Sequence, residues 1–190
     1  MQLLDVLLVN PPFCSDASGK PTAPENMGLT CGVMPPIQLV KLATILSKHG
    51  HSAKVLDLAI LAGKNNVLQL FEELLSVVQV RYVGFSNHSV INLSAIEQLA
   101  SIAKKYSATV LIGGINPTHM QGEIFQHVPS ADVVFVGFSE KTLLEYVQNA
   151  TLSKGVISKQ SATVPRSLKD LEQNNADVAQ ALCTLDEATL

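Results

Sequence analysis

Thr109-Val-Leu-Ile-Gly-Gly-Ile-Asn-Pro-Thr-His119 is an apolar run that stops at a glycine pair, with Pro117 three residues on. Its first half has the composition of a short strand buried on both faces. The glycines make a tight exit where another group can approach the backbone, because no Cβ stands in the way. Working outward, the same arrangement recurs. Leu3 to Val9 is apolar apart from Asp5 and ends abruptly at Asn10-Pro11-Pro12, where proline has no N–H to continue a ladder. Tyr82-Val-Gly-Phe-Ser86 is a strand with its exit. Ala131 to Val136 is another, running into Gly137-Phe138-Ser139-Glu140. Ala53 to Leu58 completes a set of five strands.

Between the strands lie segments of helical period. Pro35-Pro36 opens the first, since proline is well tolerated in a first turn. Ile37, Val40, Leu42-Ala43 and Ile45-Leu46 form its stripe, and Lys48-His49-Gly50 closes it. Val67 to Val78 carries Leu70, Phe71, Leu74 and Leu75 on one side. Asn92 or Ser94 caps a helix running to about Lys105. Thr118 to His127 is a short helix, and the last runs from Glu140 to about Asn149. This alternation predicts an α/β, Rossmann-like (flavodoxin-like) fold with a five-stranded parallel sheet and helices on both faces. The commonest strand order for five is 2-1-3-4-5, with the switch point between strands one and three. Residues 1–160 read as the domain. Gly155-Val-Ile-Ser158 is a candidate short extra strand, and 161–190 is a polar tail or linker with helical potential.

The totals narrow the function. Of 190 residues, 47% are apolar and 15% charged, enough for a covered core. A net charge of −3 without a basic cluster speaks against a nucleic-acid partner. Cys14, Cys31 and Cys183 are widely spaced and odd in number, which fits a reduced cytoplasmic protein. The sequence has no basic leader with a cleavage pattern and no apolar run long enough for a bilayer, so no membrane association is expected.

In open parallel sheets, ligands bind beyond the carboxyl ends of the strands. Here those ends are Asn10-Pro11-Pro12, Ser86-Asn87-His88, Gly113-Gly114 and Gly137-Phe138-Ser139. Strand exits are loops, and loops favour such residues on any ground. The coincidence of several small, polar exits with a long loop, Phe13 to Met34, weighs toward a ligand rim. Common phosphate cradles are missing: there is neither GxGxxG after the first strand nor GxxxxGK[ST]. A flavin site stays open, because Ser15, Ser18 and Gly19 can form an anion nest. Aromatics to stack on a flavin are scarce, at 5% with no Trp.

Val6-Leu-Leu-Val-Asn-Pro-Pro12, Met34-Pro-Pro36 leading a helix that ends Lys48-His-Gly-His51, Val83-Gly-Phe-Ser86, Ile112-Gly-Gly114 and Val136-Gly-Phe-Ser-Glu-Lys-Thr-Leu143 follow one another in order. In this order and spacing, over roughly residues 3 to 160, the chain resembles the N-terminal cobalamin-binding domain of cobalamin-dependent radical SAM enzymes. In cobalamin-binding folds the lower-face nucleotide tail enters beside strands one, three and four. The family pattern is DxHxxG, then SxL, then GG. Ser86-Asn87-His88 stands at the second, with His for Leu, and Gly113-Gly114 matches the third. The first is absent, since Asp16-Ala17-Ser18 has no His. The resemblance therefore implies cobalamin held base-off, without a histidine ligand to cobalt. It places the corrin on a rim of Asn10, Pro11, Pro12, Phe13, Asn87, His88, Val90, Asn116 and Thr118, with Gly137, Phe138 and Ser139 beside it. It implies that valine at Gly113 or Gly114 abolishes binding while sparing the fold.

Other residues carry two readings. His88 is a cofactor contact or a polar loop residue, and His119 a contact or a helix-start residue. His49 and His51 flank a helix end as C-terminal cations. Cys14 is a thiol near cobalt or an ordinary loop cysteine. Glu140 is a first-turn helix residue or a cofactor contact. The enzymes resembled continue into a barrel with a CxxxCxxC cluster site, and no such motif occurs in these 190 residues. Neither a Ser/His/Asp set nor paired carboxylates replaces it. The expectation is a cobalamin-binding module, stand-alone or serving a separate radical SAM-like catalytic partner. The alternatives are an interaction or regulatory domain with an empty site, and a flavin-type binder.

Overall fold

The computed structural model describes residues 2–14, 20–21, 35–62 and 66–161. The proposed Ser15/Ser18/Gly19 nest, most of the Phe13–Met34 loop and the tail beyond Ser161 lie outside the described residues.

The strands are β1 (Gln2–Asn10), β2 (Ala53–Asp57), β3 (Val78–Ser86), β4 (Thr109–Gly113), β5 (Val133–Phe135) and β6 (Val156–Ser158). They form one sheet in the order β2-β1-β3-β4-β5-β6. The first five are parallel in the expected order 2-1-3-4-5, with the switch point between β1 and β3. The sheet has six strands, however, not five. Gly155, at φ +93°, turns the chain back so that Val156–Ser158 pairs antiparallel with β5. This is the candidate short extra strand of Gly155–Ser158; three residues carry too little periodicity to show in sequence which strand it pairs with.

The helices are α1 (Ile37–Lys48), α2 (Val67–Val77), α3 (Leu93–Lys105), α4 (Ile115–Met120), α5 (Ile124–His127) and α6 (Glu140–Asn149). Alternate residues of the central strands point to opposite faces and build two cores. On one face Leu7, Val9, Val83, Phe85, Val110 and Ile112 pack against Phe71 and Leu75 of α2 and Ile96, Leu99 and Ala103 of α3. Phe71 and Phe85 meet edge-on at 6.1 Å. On the other face Val6, Leu8, Tyr82, Leu111, Val133 and Phe135 pack under α1 and α6. Tyr146 of α6 stands edge-on to both Tyr82 (5.7 Å) and Phe135 (5.8 Å) and so fixes α6 to the sheet.

Several boundaries differ from expectation for local reasons. β3 begins at Val78, directly on the end of α2, whose C-cap residue is already extended (φ −119°, ψ 122°). A valine-rich run without Gly or Pro contains no stop signal, so in sequence Val78–Arg81 reads as the end of a helix and a gap. The short helix after β4 starts at Ile115, not Thr118, and Gln121, at φ 50°, breaks it before α5. Asn92 sits at the start of α3 but makes no side-chain cap there. Ser89 instead caps the short 3-10 turn Val90–Asn92. On α1, Ile37 and Val40 are exposed, while Leu39 and Leu46 face the core. His49 Nδ1 bonds the Ile45 carbonyl oxygen at 2.8 Å, placing that residue on the last turn as read.

Candidate functional site: a pocket at the carboxyl ends of β3, β4 and β5

The carboxyl ends of the parallel strands open into a pocket of about 420 Å³ between the sheet and helices α1 and α6. That is within the range of small-molecule sites. Its floor follows from strand alternation: Leu8 of β1, Gly84 and Ser86 of β3, Leu111 and Gly113 of β4, and Phe135 of β5 all point to the α1/α6 side. Leu39, Leu42 and Leu143 close the walls, and most of the lining is apolar. Two glycines make the room. Gly113 has only Phe135 Cβ near the place a Cβ would occupy, at 3.9 Å. At Gly84 a Cβ would come within 2.9 Å of Leu8 Cδ2.

Ser86, His88, Gly113, Gly114, Gly137, Phe138 and Ser139 all line this one pocket. Ser86 is buried, and its Oγ lies 2.7 Å from His88 Nε2, so His88, itself exposed, holds the hydroxyl at the end of β3.

Gly114 has a different task from Gly113. Its φ of +120° is a backbone conformation for glycine, and a Cβ there would stand 2.4 Å from the Asn87 carbonyl oxygen. Valine at Gly114 therefore would not spare the fold, contrary to the expectation for the pair. Gly114 lets the β4 exit pass over Asn87, which is fully buried. Asn87 N–H donates to the Gly113 carbonyl (2.8 Å), its own carbonyl accepts from Asn116 N–H (3.3 Å), and Nδ2 donates to the Ser89 carbonyl (2.9 Å). Asn87 thus ties the exits of β3 and β4 together beneath the rim.

Asn10, Pro11, Pro12, Phe13, Val90 and Asn116 are not among the pocket's lining residues. Asn10 Nδ2 donates to Asp57 Oδ1 at 2.9 Å, toward the β2 edge. Pro11 and Pro12 are buried and Phe13 is half-buried. Val90 is exposed above the β3 exit, as are Ile115 above β4 and Phe138 above β5. Cys14 is fully buried and bridges to Pro21, which leaves no exposed thiol at that place. His119 is exposed on α4, and His51 is half-buried beyond the end of α1.

The sequence reading left out Gly84, and it placed Thr118 on the rim and gave Glu140 as a first-turn residue or a cofactor contact without the links that each makes. Thr118 Oγ1 donates to the Gly114 carbonyl (2.8 Å) and accepts from Gly137 N–H (2.9 Å), joining the β4 and β5 exits. Glu140 Oε1 pairs with Lys41 Nζ at 2.9 Å, which links α6 to α1. The available signal for Gly84 was its spacing of two from Ser86, which puts both on one face of β3. Nothing in the sequence pairs Lys41 with Glu140, which are 99 residues apart.

Three polar atoms around the site are buried without a partner: Asn87 Oδ1, Asn116 Nδ2 and Glu140 Oε2. His51 Nε2, Thr142 Oγ1 and Ser153 Oγ, on residues that do not line the pocket, are buried without a partner as well, so such atoms do not single the pocket out. No group of three or more His, Cys, Asp or Glu suited to a metal ion occurs among the described residues. No described helix is long and apolar enough to cross a membrane.

Comparison with known proteins agrees with this geometry. The fold is similar to that of TsrM, a radical S-adenosylmethionine methyltransferase from Kitasatospora setae solved with tryptophan substrate and a SAM analogue (aza-SAM) bound. The TM-score is 0.64 at 19% identity, over 83% of this chain and 28% of that one, so the chain spans well under a third of that enzyme. No curated protein matches. The model of the B12 binding domain matches residues 29–147, more than half of the chain, and with the pocket at the carboxyl ends of its parallel sheet the chain belongs to the B12-binding domain family.

Proposed function

We propose that this chain binds cobalamin base-off, without a histidine ligand to cobalt, as a module that stands alone or serves a separate radical SAM-like catalytic partner. The observation that carries the reading is the apolar pocket whose floor is opened by Gly84 and Gly113, with the hydroxyl of Ser86 at the end of β3. A flat aromatic ring such as the benzimidazole of the nucleotide tail suits such walls, and Ser86 can donate to a ring nitrogen. His88 Nε2 is occupied by Ser86, which favours a role in holding that hydroxyl over one beneath cobalt. Above the pocket, Val90, Ile115 and Phe138 offer exposed apolar surface on which a corrin would rest. Asn87 braces this rim from beneath, its carbonyl accepting from Asn116 N–H. Bound there, cobalamin would supply a cobalt centre able to carry an alkyl group. The binding unit is residues 1–160, with 161–190 a tail.

An absorbance titration with hydroxocobalamin tests this. The expected result is a saturable change in the visible bands toward the base-off form, as the pocket takes the benzimidazole. An unchanged spectrum overturns the proposal. A yellow protein on purification would favour a flavin in its place. Failure to bind cobalamin together with a partner retained through residues 161–190 would favour an interaction domain.

A further inference from the structure

We infer that His88 is a positioning residue of the pocket. By donating from Nε2 to Ser86 Oγ it turns the Ser86 proton toward the occupant, so the floor selects a ring that carries an acceptor nitrogen. The inference rests on the cobalamin reading above. The polar residues lining the pocket are Gln38, Ser86, His88, Thr118, Ser139 and Glu140. Gln38 stands on α1, and Ser139 and Glu140 at the start of α6, so these three belong to the walls. Thr118 holds the Gly114 carbonyl and the Gly137 N–H. Ser86 belongs to the floor, opposite Gly113 in register, and keeps 7% of its surface open. Among the described residues its Oγ has one partner, His88 Nε2, at 2.7 Å.

A serine hydroxyl has a single proton, which points one way at a time. If Nε2 is the bare nitrogen of a neutral imidazole, the hydroxyl donates to it and presents only lone pairs to the pocket. If Nε2 carries a proton, Ser86 accepts from it and its own proton is free to turn. The side chains of the surrounding floor, Leu8, Leu111 and Phe135 beside Gly84 and Gly113, offer no acceptor, so that proton points at the occupant. The His88 ring is otherwise exposed, and water satisfies Nδ1 as donor or as acceptor. The choice between the two arrangements is therefore made at Ser86. A ring nitrogen with a lone pair, brought onto the floor, is satisfied by the Ser86 O–H only when Nε2 is protonated. In the other arrangement it faces oxygen lone pairs and is buried unpaired, which is costly. An aromatic ring without such a nitrogen leaves the Ser86–His88 pair undirected. Gln38 and Ser139 remain available to other atoms of the occupant.

The test uses the full chain with methylcobalamin and with the methyl form of a cobamide whose lower base is p-cresol, which has no ring nitrogen. NMR of isotope-labelled histidine rings, with the His88 signals assigned by their loss in His88→Gln, reports which nitrogen bears the proton. The expected result is a protonated Nε2 in the methylcobalamin complex. Calorimetric titration of both cobamides into the wild type, His88→Gln and His88→Glu supplies the second readout. The glutamine amide still donates, whereas the glutamate carboxylate only accepts and draws the Ser86 proton to itself. Loss of one hydrogen bond leads us to expect His88→Glu to weaken methylcobalamin about tenfold and the p-cresol cobamide less than about twofold. His88→Gln should hold methylcobalamin within about threefold of the wild type. If His88→Glu fails to fold, the wild-type NMR decides alone. A bare Nε2 in the methylcobalamin complex overturns the inference, and so do equal losses for both cobamides or uptake of the p-cresol cobamide alone. A wild-type protein that takes up neither overturns the cobalamin reading itself, and this assignment with it.

Discussion

A β-carbon on Gly113 would meet nothing closer than Phe135 Cβ at 3.9 Å, whereas one on Gly114 would collide with the backbone of Asn87. The two substitutions should therefore separate. Gly113→Val places its bulk in open pocket space, and the expected result is a protein of near-normal melting temperature with at least tenfold weaker cobalamin binding. Gly114→Ala has to abandon a glycine conformation and displace Asn87, at a cost of about 3 kcal/mol or more. Thermal melts read alongside cobalamin titration check both. A low melting temperature in Gly113→Val, or normal stability in Gly114→Ala, would refute the division of labour. The glycine pair was legible as a place of close approach, because only glycine tolerates either situation. Which glycine faces the ligand and which faces Asn87 was not, since that depends on how the β3 and β4 exits cross. Gly84 was missed for a related reason: within a strand it reads as a weakness, and its use appears only once Leu8 and Leu111 are its neighbours.

At the scale of elements, the rim holds together through contacts between successive strand exits. Thr118 is the link between β4 and β5, with one hydrogen bond to each side. Thr118→Val keeps the shape but removes both bonds and leaves the Gly137 N–H without this acceptor. The expected destabilisation is about 1–3 kcal/mol, with added mobility at Gly137–Ser139. Hydrogen exchange at the Gly137 amide is the direct check, and unaltered protection there would show the clip to be dispensable. The five parallel strands and the α1 and α6 segments were visible in the alternation of apolar runs with helical periods, whereas the strand order came only from the commonest arrangement of five such strands, which the sheet follows. The antiparallel pairing of β6 and the start of β3 were not visible. The first is fixed by a turn at Gly155 and pairing to β5, the second by a helix passing into a strand without a break. Both depend on partners distant in sequence or on backbone angles rather than on residue type.

For the whole molecule, Asp5 and Tyr146 contribute to stability in opposite pH directions. Asp5 in β1 accepts hydrogen bonds from the Ser52 hydroxyl (2.7 Å) and N–H (2.8 Å), joining β1 to the start of β2. These bonds to Ser52 hold its carboxyl below its ordinary value of 3.8. The folded state thus favours the charged form. The resulting stability is present above pH 3.8 and is lost as pH falls through the lower folded value. The carboxyl lies near solvent, so its share is a few tenths to about 1 kcal/mol. Tyr146 acts in the other direction. Burial raises its phenol above 10.0, with Tyr82 and Asp132 adding to the effect, so the fold favours the neutral form. That contribution is complete below pH 10 and disappears as pH rises through the folded value. Melting temperature against pH should accordingly fall off on both sides of a plateau between about pH 4 and 10. Asp5→Asn should flatten part of the acid limb and lower the plateau slightly, and Tyr146→Phe should flatten part of the alkaline limb while keeping its ring contacts with Tyr82 and Phe135. Limbs that keep their slopes in these variants would mean that the pH limits arise elsewhere in the molecule. The two variants also bear on the site differently. Tyr146 anchors α6, which carries Glu140 and one wall of the pocket, whereas Asp5 lies at the opposite, amino-terminal end of β1. Alkaline loosening through Tyr146 should therefore weaken cobalamin binding before the protein unfolds, and acid loosening through Asp5 should not.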